Sequence, residues 1–204
     1  MARGGTSFVG GGTNNNTTSP FDTVSGGQNN TASGLRSFVG GGNNNTASGG
    51  NSTVGGGQDN TASGSRSIVG GGQNNTASTG HGTIGGGQNN TASGPSHSTV
   101  SGGINNTASG QQSVVSGGTS NTASGSRSIV GGGQNNDAIA QLSFIGGGLD
   151  NTASGDRATV GGGFNNDATS QFSTYQAEKT TLHQAHTQLL GVEIPTPQVD
   201  NKAQ

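Results

Sequence analysis

The sequence predicts an all-β protein: a parallel β-solenoid, or β-roll, of about eleven 15-residue coils, with a short C-terminal helix and an extended tail. Three observations predict it. First, a large apolar residue precedes a glycine run at Val9, Val24, Val39, Val54, Val69, Ile84, Val100, Val115, Val130, Ile145 and Val160, and Tyr175 ends the series. Every step is 15 residues except the step of 16 from Ile84 to Val100, whose extra residue falls near Pro95 in a turn. Second, an unbroken asparagine column keeps the same phase: Asn15, Asn30, Asn45, Asn60, Asn75, Asn90, Asn106, Asn121, Asn136, Asn151 and Asn166. Third, each unit divides into two halves of one pattern, Asn45-Thr46-Ala47-Ser48-Gly49 and Ser52-Thr53-Val54-Gly55-Gly56 being one pair.

Each half alternates with period two, which is a short strand with one face inward. The inward faces read Asn-Ala-Gly and Ser-Val-Gly. Two strands and two turns then close a coil, and coils stacked about 4.8 Å apart give a roll roughly 50 Å long. The core is one Ala facing one Val, so the roll is thin, with glycine at its corners where positive φ is needed. The asparagines are expected to bond up and down their column as an amide ladder. With 24% hydrophobic residues and 43 glycines in 204, composition alone would read as disorder, but the strict period outweighs it. Narrow cores covered by neighbouring coils need few apolar groups.

The roll is expected over residues 6–175, a helix over 176–191 and the extended tail over 192–204. Ser173 and Gln176 suit a capping box, and Gly191 suits a helix stop. Tyr175, Leu182 and Leu189 recur every seven residues, so the helix either caps the last coil or forms a short oligomer neck. The repeat is already in phase at Ser7-Phe8-Val9, so a longer protein or another subunit is expected to cover that end.

Several chemistries are disfavoured. There is no cysteine, hence no disulfide framework or thiolate metal site. The glycine runs lack the Gly-Lys-Ser/Thr of a phosphate loop, and Asp59 and Asp150 are too isolated for calcium-binding repeats. His183 and His186 lie three apart but have no third ligand beside them. No enzyme, cofactor or metal site is expected. The net charge of −2 gives no pull toward nucleic acid, and no apolar run is long enough to span a membrane. The start carries no secretory signal, so the chain is not exported by that route or is a fragment or processed product.

The half-repeats resemble the left-handed parallel β-roll heads of trimeric autotransporter adhesins and of phage and viral fibres. The Asn-Thr-Ala-Ser-Gly phrase also resembles the half-repeats of ryegrass-type ice-binding β-rolls. The resemblance spans residues 6–175, and the left hand is taken from it. It implies an extracellular or surface-exposed location. The glycine triplets are longer than the ryegrass pattern has, and the adhesins' stalk and membrane anchor have no counterpart in this sequence.

Function must lie on outward positions. On the asparagine half these hold Thr31, Ser33, Thr46, Ser48, Thr61, Ser63, Thr76, Ser78, Thr91, Ser93, Thr107, Ser109, Thr122 and Ser124, returning as Thr152 and Ser154 after an interruption at Asp137 and Ile139. The resemblance implies that this hydroxyl grid meets ice; recent duplication would also copy it. On the other half, Phe8, Phe38, Ile68, Val114, Ile129 and Phe144 stand in one column. That stripe reads as an association face, with scattered surface apolars as the other account. A corner column holds Arg36, Asn51, Arg66, His81, His97, Gln112, Arg127 and Arg157, either a solvated turn or a contact for acidic sugars or phosphates. Asn29, Asn44, Asn74, Asn89 and Asn105 head glycosylation sequons, relevant only in a secreted eukaryotic protein.

The expected function is a non-enzymatic structural or adhesive solenoid. It would form a homo-oligomer, whether a trimer or an end-to-end or lateral fibre, and present repeated surfaces to a cell-surface or glycan ligand. The alternative is an ice-binding protein acting through the hydroxyl grid.

Overall fold

A computed structural model describes residues 1–3 and 5–176. They form a parallel β-solenoid of about eleven coils. One sheet has 12 two-residue strands, from Phe8–Val9 to Thr174–Tyr175; the other has 11, from Asn16–Thr17 to Asp167–Ala168. We call these the Val sheet and the Ala sheet after their inward residues. Each strand pairs in parallel with the equivalent strand of the next coil, as Thr53↔Ile68 with Val54↔Val69, and Thr61↔Thr76 with Ala62↔Ala77. The 16-residue step keeps this register, with Thr83↔Thr99 and Ile84↔Val100. A slip of one residue would turn every later side chain inside out, so the insertion has to stay within a turn.

Each coil buries one Val or Ile and one Ala, fully shielded from Val24 to Ala168. A buried serine column, Ser37 to Ser143, lines the same interior. Asp22 takes the serine position in one coil. It is fully buried, and it accepts hydrogen bonds from the Ser19 N–H, the Ser37 N–H and the Ser37 hydroxyl. Gly82 takes it in another, and the methyl of Thr79 fills the space a side chain there would need.

The coil departs from two strands and two plain turns. A third parallel ladder, one residue wide, runs from Thr13 through Gln28, Asn43, Gln58, Gln73 and Gln88 to Phe164. The Gln28 N–H donates to the Gly42 carbonyl and the Asn44 N–H donates to the Gln28 carbonyl, both at 2.9 Å. The glutamine is held extended between Gly27 at φ 88° and Asn29 at φ 56°.

Positive φ is also not confined to glycine. Two columns of other residues share it, Asn14 to Asn165 at one corner and Thr6 to Phe172 at the other. Asparagine tolerates this conformation through its short polar side chain. At the second corner Arg66, His81 and Arg127 adopt it because their N–H groups bond the preceding coil, donating to Gly50, Ser65 and Gln111 at 2.7–2.9 Å. Apart from Gln176, the helix and tail expected over 176–191 and 192–204 lie outside the described residues, as do His183 and His186.

Candidate functional site

The asparagine column lies inside the roll, with Asn30 to Asn151 fully buried, Asn15 nearly so and Asn166 half-buried. Its bonding differs from the expected amide ladder. Each central member ties together three backbone segments. The Asn75 amide donates to the carbonyls of Gly71 and Gly87, and its oxygen accepts the N–H of Asn90, all at 2.9 Å. Bonds between side-chain amides occur only at Asn45, Asn136, Asn151 and Asn166. A column of amides bonded only to one another would leave the N–H of the fully buried Asn90 unpaired.

The partner of this device is a glycine column that sequence reasoning passed over: Gly12, Gly27, Gly42, Gly57, Gly72, Gly87, Gly103, Gly118, Gly133, Gly148 and Gly163. All have φ between 83° and 98°. A Cβ on Gly72 would overlap the Gly87 carbonyl oxygen and stand 2.7 Å from the Asn75 amide nitrogen. The signal was present: this column and the one just before it, Gly11 to Gly162, are both unbroken.

The hydroxyl grid lies on the outer face of the Ala sheet. Its threonines, from Thr31 to Thr122 and at Thr152, are half-buried by their column neighbours; its serines, Ser33 to Ser124 and Ser154, are exposed or half-buried. Threonine faces threonine in register, as Thr76↔Thr91 and Thr107↔Thr122. Among the described residues none of these hydroxyls bonds another protein group.

The outer face of the Val sheet carries the apolar stripe. Phe8, Phe38, Ile68, Ile129 and Phe144 are exposed, and Val114 is half-buried. Register alternates large with small: Phe8↔Thr23↔Phe38↔Thr53↔Ile68↔Thr83. Val114, Ile129 and Phe144 then stand on three consecutive coils. The Phe8, Phe38 and Phe144 rings lean toward Gly10, Gly40 and Gly146, where an added Cβ would stand 3.1–3.6 Å from the ring edge.

The second corner carries Arg36, Asn51, Arg66, His81, His97, Gln112, Arg127 and Arg157, all exposed. The rings of His81 and His97 stack in parallel, 4.5 Å apart with 2° between planes. No group of three or more potential metal ligands occurs among the described residues, and no helix there is long and apolar enough to cross a membrane.

No family model matches the chain, and no curated protein matches its sequence. The solenoid fold is shown by its own geometry; the likeness to adhesin heads and ice-binding rolls rests on the repeat motif alone.

Proposed function

We propose that this chain is a non-enzymatic structural solenoid that self-associates through the outer face of its Val sheet and presents its other faces, many times over, to a surface-exposed ligand. The in-register stripe carries this reading. Its large side chains stand two coils apart over Phe8, Phe38 and Ile68, with threonine between them and small residues beside them. A second copy offset by one coil would set its large residues over those threonines, so the face is complementary to itself. Burying exposed Phe and Ile supplies about 1.5–3 kcal/mol per side chain before the cost of association. Changing Phe38, Ile68, Ile129 and Phe144 together to Thr, a residue the same column already holds at five positions between Thr23 and Thr159, leaves the roll folded and lowers its mass in light scattering. A parent already monomeric at micromolar concentration overturns the reading.

One observation favours the alternative, ice binding. Thr/Ser pairs run without interruption over seven coils from Thr31 to Ser124, with every hydroxyl left free of protein partners. Under this reading, replacing Thr76 and Thr91 with Tyr abolishes inhibition of ice growth while the melting temperature stays within a few degrees. The same change at Thr53 and Thr83, on the opposite sheet, does not. Parent protein that leaves growing ice unaltered removes this alternative.

A further inference from the structure

We propose that the second corner is a binding track for a linear acidic polysaccharide, strengthened at mildly acidic pH by His81 and His97. This rests on the fold and not on the association face. Arg36, Arg66, Arg127 and Arg157 all stand on this one edge, and of the arginines only Arg3 lies elsewhere. The edge from Arg36 to Arg157 covers eight coil steps, about 40 Å. None of these guanidinium groups is ion-paired among the described residues. Between Arg36 and Arg127 no carboxylate occupies a turn position at this corner; the first is Asp156, beside Arg157. Carboxylates sit elsewhere: Asp59 and Asp150 at the opposite corner, Asp137 and Asp167 on the Ala sheet. The roll is therefore slightly acidic overall but cationic along one edge.

The cations are also held in place. Arg36 lies over the Phe21 ring at 5.7 Å and Arg157 over the Phe172 ring at 5.2 Å. The Arg127 Nε donates to the Gln112 side chain at 3.1 Å. Each projects from a positive-φ backbone position where asparagine or glycine would cost less. Arg36 and Arg66 are two coils apart, about 10 Å, as are Arg127 and Arg157. That spacing suits a polymer bearing one acidic group per disaccharide. Single-stranded nucleic acid would need aromatic platforms along the track, and the column offers phenyl rings only at its two ends, each already taken by an arginine, while its two imidazole rings stack on each other.

The gap between Arg66 and Arg127 is where the two histidines sit. Arg66 Nη1 lies 3.3 Å from His81 Nε2, and since arginine only donates, that nitrogen accepts in the neutral ring. The Ser96 hydroxyl pairs with His97 Nδ1 at 2.6 Å. Histidine is the side chain whose charge changes between roughly pH 5 and 8. Protonation turns the accepting nitrogen into a donor, displaces Arg66, and puts two cationic rings 4.5 Å apart with an arginine beside them. An anion lying across all three relieves that repulsion, so a bound polyanion and bound protons favour one another.

The test measures binding of dextran sulfate, and of unsulfated dextran of equal length, at low salt near pH 7.5 and near pH 5.5. Dextran sulfate is expected to bind and dextran not, with affinity rising severalfold on acidification. Arg36→Gln, Arg66→Gln, Arg127→Gln and Arg157→Gln together lose about tenfold or more at both pH values while far-ultraviolet circular dichroism stays that of the parent. His81→Gln with His97→Gln keeps the affinity near pH 7.5 and loses the gain on acidification. That variant separates the histidines from the general rise in protein charge. No binding of dextran sulfate, or unchanged binding by the four-arginine variant, overturns the track. Acid tightening retained by the double-histidine variant overturns their role. Tighter binding of single-stranded DNA of equal charge overturns the polysaccharide assignment.

Discussion

Replacing Asn75 with Leu lowers the stability of the roll by about 3–5 kcal/mol, because it combines loss of buried hydrogen bonds with a side chain of different shape in a packed column. The mutation removes the Asn75 bonds to the Gly71 and Gly87 carbonyls and leaves the N–H of Asn90 without its acceptor. That N–H belongs to a fully buried residue. Water cannot replace the lost partner without opening the coil. Coils contact only their neighbours, so the damage is local and splits the solenoid into two stacks. Chemical denaturation monitored by circular dichroism is expected to show a lower midpoint and a broader transition. Asn74→Ala is the contrast: the same amide is removed one position earlier, on an exposed residue whose N–H bonds the Gln58 carbonyl. It costs about 1 kcal/mol, for a positive φ that alanine tolerates less well than asparagine. Equal losses from the two variants would mean that the buried column does not hold the coils together.

The contrast bears on how so apolar-poor a chain stays folded. Hydrophobic burial per coil is little more than one Val or Ile and one Ala, and the rest of the interior is mostly polar, with its asparagines paired. The asparagine uses both its donors and its acceptor on backbone, so each coil is bonded to the next from inside as well as through the sheets. Buried polar groups of this kind specify register: a slip would leave several unpaired at once. A few interior hydroxyls, those of Ser52, Ser98, Ser128 and Thr79, have no partner, while Ser67, Ser113 and Ser143 bond the carbonyl three residues earlier. The serine column is thus the looser of the two.

Period, sidedness and the buried columns were legible because each depends on a residue type repeating at a fixed offset. Val54 over Val69 and Ala62 over Ala77 could be read directly from the spacing. The partners of the asparagines could not. A side-chain amide bonds equally well to amides or to backbone, and only the coil geometry brings the Gly87 carbonyl within reach of Asn75. The third ladder was hidden for a related reason. Gln28, Gln58 and Gln73 look like turn residues, and a one-residue bridge leaves no alternation to detect. The corner was hidden by composition. Arg66, His81 and Arg127 are poor candidates for positive φ from propensity alone, and hydrogen bonds to the preceding coil override that preference. Outward faces were legible as columns but not as functions, since an exposed threonine or phenylalanine carries no mark of what it meets.

Replacing Gly72 with Ala is expected to cost about 3–5 kcal/mol, as much as losing the asparagine it serves. Gly72 has φ 90°, where a Cβ is strained in itself, and the added carbon would overlap the Gly87 carbonyl oxygen of the next coil. That oxygen accepts both the Asn75 amide and the Gln73 N–H, so moving it disturbs two ladders together. Gly64→Ala is the informative comparison. A Cβ there would also overlap a carbonyl oxygen, that of Thr79. Yet its column already holds Thr79 and Ala140 with the sheets in register on both sides, so the backbone there adjusts. The cost at Gly64 is about 1 kcal/mol. Thr79 also shows how a larger group is admitted, because Gly82 replaces the usual serine and leaves room for the threonine methyl. Gly64→Thr alone is therefore expected to clash with Ser67, and adding Ser67→Gly should restore most of the lost stability. No substitution beside Gly72 offers such a rescue, because its φ of 90° strains any Cβ there whatever its neighbours, whereas Gly64 has no positive φ. Thermal denaturation of the four variants distinguishes the two columns, and a mild effect of Gly72→Ala would show that the positive-φ column is a habit of the repeat and not a requirement of the coil.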